Sequence, residues 1–269
     1  MEVSMRPEGL KPHERIILPL DVSNIDTAIG LANQLKNHVG VFKIGFEAIY
    51  STMVDLVLHP EQLLIQYVRK VRMLCGIIGP KQAFLDVKLA DIPNTVEKAM
   101  KALSRLGVKM INMHASAGIE AIKVAVANKG IAELFGVTVL TSIKGDECES
   151  IFGDIPDNKV WQFAEMLSSC GADGVICAPK EGLMLREYSK FDEITIATPN
   201  IRPWYSLTPE EKERVKDDQD PKRQMTPANA VKSGIDMLVI GRPITDPPSG
   251  IGGPVEAAKL IAKEIEEAL

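Results

Sequence analysis

Phe84-Leu85-Asp86-Val87-Lys88-Leu89-Ala90-Asp91-Ile92-Pro93-Asn94-Thr95 is the stretch around which the chain is organised. An apolar run leads into Asp-x-Lys-x-x-Asp, and Ile-Pro-Asn-Thr follows at once. On a strand, Phe84, Asp86 and Lys88 share one face while Leu85 and Val87 take the other. Two opposite charges then project from the strand's end, close enough to fix each other's protonation state. Pro93 suits a helix's first position, with Asn94 or Thr95 placed to serve the first turn. An isolated Asp-x-Lys is more often a solvated ion pair than a site, so the flanking chain has to decide.

Outward from this stretch, strands and helices alternate. Upstream, Arg15 to Val22 reads as a buried strand ending in a carboxylate, Asp21, and Ser23 or Asn24 is placed to cap the helix that follows. A second strand covers Val41 to Gly45. Downstream, strands are expected at Lys109–His114, Phe135–Leu140, Gly174–Ala178, Glu193–Thr198 and Asp236–Gly241. Helical patterns fall near 94–105, 118–128, 158–169, 180–188 and 254–268, with another starting near Thr226-Pro227. Eight strands separated by helical segments predict parallel pairing with right-handed crossovers. A closed (β/α)8 TIM barrel, one domain over 1–269, uses all eight without leaving an edge. An open doubly wound sheet is the alternative, but no Gly-x-Gly-x-x-Gly follows the first strand. Residues 1–14 form a polar leader, 47–82 an enlarged helical connection, and 200–225 a long polar loop.

Composition agrees with such a domain. The 269 residues are 45% hydrophobic and 25% charged, enough for a sizeable core without disulfides or metal. A net charge of −5 argues against general nucleic-acid binding but leaves room for an anionic small ligand held by local basic groups. Cys75, Cys148, Cys170 and Cys177 show no Cys-x-x-Cys and no metal-ligand spacing, which fits free thiols in a reducing cytosol. No apolar run approaches 18 residues and residues 1–14 lack a signal peptide's apolar core, so a soluble, cytoplasmic protein is expected.

Barrel sites lie at the C-terminal ends of the strands. The candidates there are Asp21, Lys43, Asp86, Lys88, Asp91, His114, Ser142 and Arg242. Unpaired charges at buried strand ends are costly, so lysines and aspartates on adjacent strands point to an alternating array.

The opening stretch resembles the signature of the orotidine 5′-phosphate decarboxylase family, and the resemblance extends along the chain. It covers Leu18-Pro19-Leu20-Asp21, Phe42-Lys43-Ile44-Gly45, Met113-His114-Ala115-Ser116 and Leu140-Thr141-Ser142. It resumes at Thr198 to Pro203, at Met225-Thr226-Pro227 and at Val239 to Thr245, in the family's order. The resemblance implies loss of CO2 from C6 of a pyrimidine nucleotide, giving UMP, with neither metal nor organic cofactor. It makes Lys88 the cation at C6 and proton donor, places Asp86 beside the substrate carboxylate, and adds Lys43 and Asp91 to the array. It implies a homodimer in which Asp91 and Thr95 serve the neighbouring subunit's site. Asp21 and Lys43 would meet the ribose hydroxyls, with Thr95 reaching across the dimer interface, Ser142 the pyrimidine edge, and Arg242 beside Gly241 the phosphate; Ile92 and Pro199 join the substrate-binding set. His114 is a landmark with a structural hydrogen-bonding role. The 200–225 loop has the length of a lid that closes on phosphate.

Two departures stand out. Asn200 replaces the family's usual glycine, and asparagine also tolerates a left-handed backbone. Trp204 stands where the family often has a glutamine linking phosphate and pyrimidine, leaving Gln219 or Gln224 as substitutes. Two other readings compete. Related barrels use Asp-x-Lys-x-x-Asp on sugar phosphates through a Mg²⁺-stabilised enediolate, with Glu-x-Gly on the second strand; here Lys43 takes the glutamate's place and would repel the ion. A non-catalytic phosphoribosyl-ligand binder would not require Asp86, Lys88 and Asp91 together.

Overall fold

The strands are short and apolar on both faces because each is covered by helices outside and by its neighbours inside. In the computed structural model, which describes residues 9–216 and 225–269, they pair in parallel. They are β1 (Ile16–Pro19), β2 (Val41–Ile44), β3 (Ala83–Leu89), β4 (Met110–His114), β5 (Glu133–Val137), β6 (Gly174–Ile176), β7 (Thr195–Thr198) and β8 (Met237–Val239). Each strand pairs with the next, and β8 returns to β1 through Ile17 opposite Val239, which closes the expected barrel.

Twelve α-helices lie among the described residues: α1 (Ile25–Leu35), α2 (Phe46–Leu58), α3 (Glu61–Ile78), α4 (Pro93–Ser104), α5 (Ile119–Asn128), α6 (Gly145–Phe152), α7 (Pro156–Ser169), α8 (Pro179–Arg186), α9 (Pro209–Lys216), α10 (Pro227–Lys232), α11 (Arg242–Thr245) and α12 (Pro254–Glu266). Asn24 caps α1 by accepting from the amides of Asp26 and Thr27 at 2.9 and 3.1 Å. Thr226 does the same for α10. Pro93 is the first residue of α4, but the residue before it, Ile92, caps without a side-chain bond, and Asn94 and Thr95 are exposed. Three short helices, α6, α9 and α11, lie where the sequence pattern is polar or only four to eight residues long. Several strands also stop two or three residues short of the apolar runs that announced them. β5 ends at Val137, so Val139 and Leu140 belong to the loop above the barrel.

Period-two alternation sorts the interior into layers. Ile17, Val41, Phe84, Met110, Phe135, Ala197 and Met237 form a separate buried cluster that plugs the barrel. A β-carbon on Gly174 would lie 2.3 Å from the Phe135 ring, so glycine is needed for that ring to fit. Two residues further along the same strands come Pro19, Lys43, Asp86, Asn112, Val137, Pro199 and Val239, all facing one cavity. The plug is therefore the floor of a site.

The opposite end of the barrel is fastened by Arg186 on α8. Its guanidinium pairs with Asp236 at 2.6 Å, donates to the carbonyls of Gly234 and Ile194 at 2.9 Å each, and also reaches that of Phe191. Asp236 accepts the Ile196 amide at 2.8 Å, tying β7 and β8 to the same group. Both side chains are buried. Removing one partner of a buried pair strands the other, so Arg186→Ala is expected to lose about 3–5 kcal/mol of stability. Urea unfolding checks this; a loss under about 1 kcal/mol would mean that the cluster is not a fastening.

Candidate active site

β3 carries the opening stretch, and its C-terminal half is not a regular strand. Leu85 pairs with Ile111 and Leu89 with Met113, so four steps along β3 match two along β4. The extra length is taken up at Lys88, whose φ of +45° lies in the left-handed region. A non-glycine residue there costs roughly 1–3 kcal/mol and persists only when its surroundings hold it. The holding group is Asn112 on β4, whose side-chain oxygen accepts the Lys88 amide at 2.8 Å. That amide thus bonds to a side chain where a continuous ladder would supply a carbonyl.

The charges alternate around this kink. Asp21 and Asp86 flank the Lys43 ammonium at 3.2 and 2.8 Å. Asp86 also accepts from Lys88 at 2.6 Å and from the Asn112 amide nitrogen at 2.6 Å. A β-carbon on Gly45 would come within 3.1 Å of the Lys43 ammonium and 3.2 Å of Asp21, so glycine leaves room for the pair. The Lys88 ammonium lies 5.1 Å from the centre of the Phe46 ring, on the ring's face, a cation–π contact at the start of α2. Burial works to raise the Asp86 carboxyl, but the charge on Lys43 and the bonds from Lys43, Lys88 and Asn112 outweigh it and hold it below its ordinary value. Half-buried His114 is pushed down, first by burial and then by the Lys88 charge, and stays neutral near pH 7.

Asp21, Lys43, Asp86, Lys88 and Asn112 line one wall of a cavity of about 290 Å³. Its other wall is apolar: Val137, Val139, Leu140, Ile176 and Val239. An ionic wall facing an apolar one suits a flat, polar-edged ring carrying a charged substituent.

Of the candidates named from sequence, Asp21, Lys43, Asp86, Lys88 and Pro199 are brought together here. Gly241 is packed against β1, where a β-carbon would lie 3.0 Å from Pro19. Arg242 is exposed as the first residue of α11, outside the cavity wall. Ser142 is exposed in the turn after β5, five residues beyond the strand's last residue, while the neighbouring Thr141 lines the cavity. Asp91, Ile92 and Thr95 are exposed just past β3, and among the described residues Asp91 has no ion-pair partner. Asn112 was not singled out from sequence. The signal was available: it is a polar residue two positions after Met110, on the face of its strand that also carries His114.

Asn200 adopts a φ of +63°, the left-handed conformation for which glycine is common and asparagine next best. After it, Ile201 bridges to Met225 and the Arg202 amide bonds to the Met225 carbonyl, closing the neck of the long loop. Trp204 takes no part in the cavity wall. Its amide donates to Glu264 on α12 at 3.4 Å, and its ring faces Lys212 on α9. Glu264 also accepts the Ala228 amide at 3.3 Å, so one carboxylate ties the loop's first arm to the start of α10. Gln219 and Gln224, the expected substitutes for a phosphate-linking glutamine, lie outside the described residues.

Comparison with known proteins gives the same direction. The profile of the "Orotidine 5'-phosphate decarboxylase / HUMPS family" matches residues 14–261. The orotidine 5′-phosphate decarboxylase of Heliobacterium modesticaldum is 35% identical, with 97% of this chain and 99% of that protein covered. That of Trichlorobacter lovleyi is 37% identical over 93% of this chain and 95% of its own. The crystal structure of orotidine 5′-phosphate decarboxylase from Lactobacillus acidophilus superposes with a TM-score of 0.66 at 28% identity, covering 93% of this chain and 98% of that one. With its profile matched over most of its length and full-length relatives at this level of identity, the chain belongs to the orotidine 5′-phosphate decarboxylase / HUMPS family.

Proposed function

We propose that the chain decarboxylates orotidine 5′-phosphate to UMP and CO2, the last step of de novo pyrimidine nucleotide synthesis, as a cytoplasmic homodimer without metal or organic cofactor. The observation that carries this reading is the chain of alternating charges, Asp21–Lys43–Asp86–Lys88, at the mouth of a barrel cavity.

The chemistry follows from electron accounting. When the C6–CO2 bond breaks, its electron pair stays on C6 in the plane of the ring, where the π system cannot take it. Lys88 supplies a fixed positive charge at that position, then passes one ammonium proton to C6 and is reprotonated from water. Asp86, kept anionic, sits beside the carboxylate that departs, so repulsion is relieved as CO2 leaves. Lys43 neutralises Asp86 from the far side and keeps the array from collapsing onto Lys88. Such preorganised charge acts on the developing anion without having to reorient. Asp21 and Lys43 bind the ribose hydroxyls, Ser142 reads the pyrimidine edge, and Pro199, Gly241 and Arg242 hold the phosphate, with 200–225 closing over it. In a dimer, Asp91, Ile92 and Thr95 extend into the neighbouring cavity, in keeping with their exposure past the end of β3.

The competing reading is a Mg²⁺-dependent sugar-phosphate enzyme on a related barrel, and Lys43 separates the two. An ammonium 2.8 Å from Asp86 and 3.2 Å from Asp21 occupies the position where an enediolate enzyme needs a divalent cation between its carboxylates. The deciding assay follows the absorbance loss as orotidine 5′-phosphate becomes UMP, with excess EDTA present. Full turnover in EDTA is expected. Strict dependence on added Mg²⁺, or turnover of a sugar phosphate alone, would overturn the assignment.

A further inference from the structure

We infer that Asn112 is a positioning residue for the reaction: its one amide sets both the carboxylate and the backbone from which Lys88 is aimed. This rests on the roles proposed above for Asp86 and Lys88. Asn112 is fully buried on β4, one step above the barrel floor. Its Nδ2 donates to Asp86 Oδ1 at 2.6 Å, and its Oδ1 accepts the Lys88 amide at 2.8 Å. The same Asp86 oxygen receives the Lys88 ammonium at 2.6 Å. The amide therefore closes a ring: Asn112 to Asp86, Asp86 to the Lys88 side chain, the Lys88 backbone back to Asn112. Because Lys88 has a φ of +45°, its conformation has to be imposed by its neighbours, and its amide is fixed by Asn112. Both halves of the bifunctional side chain are used: an amide supplies the donor and the acceptor at every pH, whereas a carboxyl of the same shape supplies both only when protonated.

Two substitutions separate the halves. Asn112→Ala removes both bonds, which lets Asp86 and the Lys88 backbone relax; kcat for orotidine 5′-phosphate is expected to fall about 10²-fold, as for other small misplacements of a reacting group. The affinity for UMP, held by the ribose and phosphate contacts, is expected to stay within about threefold. Asn112→Asp keeps an acceptor for the Lys88 amide but sets a second carboxyl against Asp86. Lys43 and Lys88 hold Asp86 ionised, so the shared proton goes to the new carboxyl, whose pKa rises. Its kcat should then increase as pH is lowered from 8 towards 5.5, while the parent's does not. Asp21, Lys43, Asp86, Lys88, His114 and Cys177, the titratable groups around this position, are common to both proteins, so the difference belongs to the substituted side chain.

The full chain and both variants would be compared by kcat, KM, UMP affinity, thermal unfolding and pH profile. A kcat loss with UMP affinity kept, together with the inverted profile of Asn112→Asp, supports the inference; if Asn112→Ala fails to fold, the Asn112→Asp profile alone decides. An active parent with Asn112→Ala within about threefold of its kcat, or an Asn112→Asp profile parallel to the parent's, overturns the inference alone. An inactive parent overturns the decarboxylase reading and this inference with it.

Discussion

Lys88→Ala is expected to lower kcat for orotidine 5′-phosphate by at least about 10³-fold while leaving UMP affinity within about tenfold. The size follows from two losses at one atom, the fixed charge that meets the C6 electron pair and the proton that ends the reaction. UMP lacks the carboxylate and its C6 already carries hydrogen, so binding it does not call on either. The protein should also remain folded. Asp86 keeps Lys43 at 2.8 Å and Asn112 at 2.6 Å, so removing Lys88 does not leave a buried carboxylate without partners. Alanine at a φ of +45° relieves no strain, and the kink stays anchored through the residue 88 amide. Steady-state kinetics beside UMP titration provide the check. Substantial turnover by Lys88→Ala would remove the residue from the chemistry, and a parallel loss of turnover and UMP binding would make it a binding group.

How far the sequence revealed this site depends on what fixes each residue. Alternation along a strand is a local property, so the inward placement of Asp21, Lys43 and Asp86 was legible once the strands were found. The barrel was legible for a related reason: eight apolar runs joined by helical segments have few other ways to bury both faces of each strand. Lys88 reached the expected face by an unexpected route. A regular strand would put it there by period two, whereas the chain inserts extra length and turns it with a left-handed backbone, a feature that depends on β4 and has no signature within Asp-x-Lys. Asn112 escaped notice because an asparagine on a strand carries no motif; its meaning comes from two partners 24 and 26 positions away. Ser142 shows where the strand pattern reads too far. The apolar run Phe135 to Leu140 reads as one strand, but β5 stops at Val137; Thr138 still donates its amide and its hydroxyl to the Ile176 carbonyl, and the chain then leaves the sheet, with Ser142 in an exposed turn. Trp204 was legible only as a departure. Its contacts with α9 and α12 are long-range, and they show it docking the loop's first arm onto the helical layer.

Mixing Lys88→Ala with Asp91→Ala subunits should restore about one quarter of the parent's activity from two nearly inactive proteins. The arithmetic follows from the proposed sharing of sites across a twofold axis. Random exchange makes half of the dimers mixed. Each mixed dimer has one cavity with neither essential group and one with Lys88 from one subunit and Asp91 from the other. The structural ground is the location of Asp91: three residues past Lys88 on the same segment, exposed, and without an ion-pair partner among the described residues of its own chain. Its carboxylate accepts the amide of Ile92 at 2.7 Å and takes no part in the wall of its own chain's cavity. Ile92, also exposed, places an apolar side chain beside it, which a neighbouring subunit would cover. Exchange would be driven by dilute denaturant and verified with differently tagged subunits, so that mixed dimers are counted independently of activity. Recovery in proportion to the mixed fraction places Asp91 in trans. Mixed dimers that form and stay inactive would put Asp91 in its own subunit's site, and the segment Asp91–Thr95 would then need a closure within one chain that its present backbone does not make.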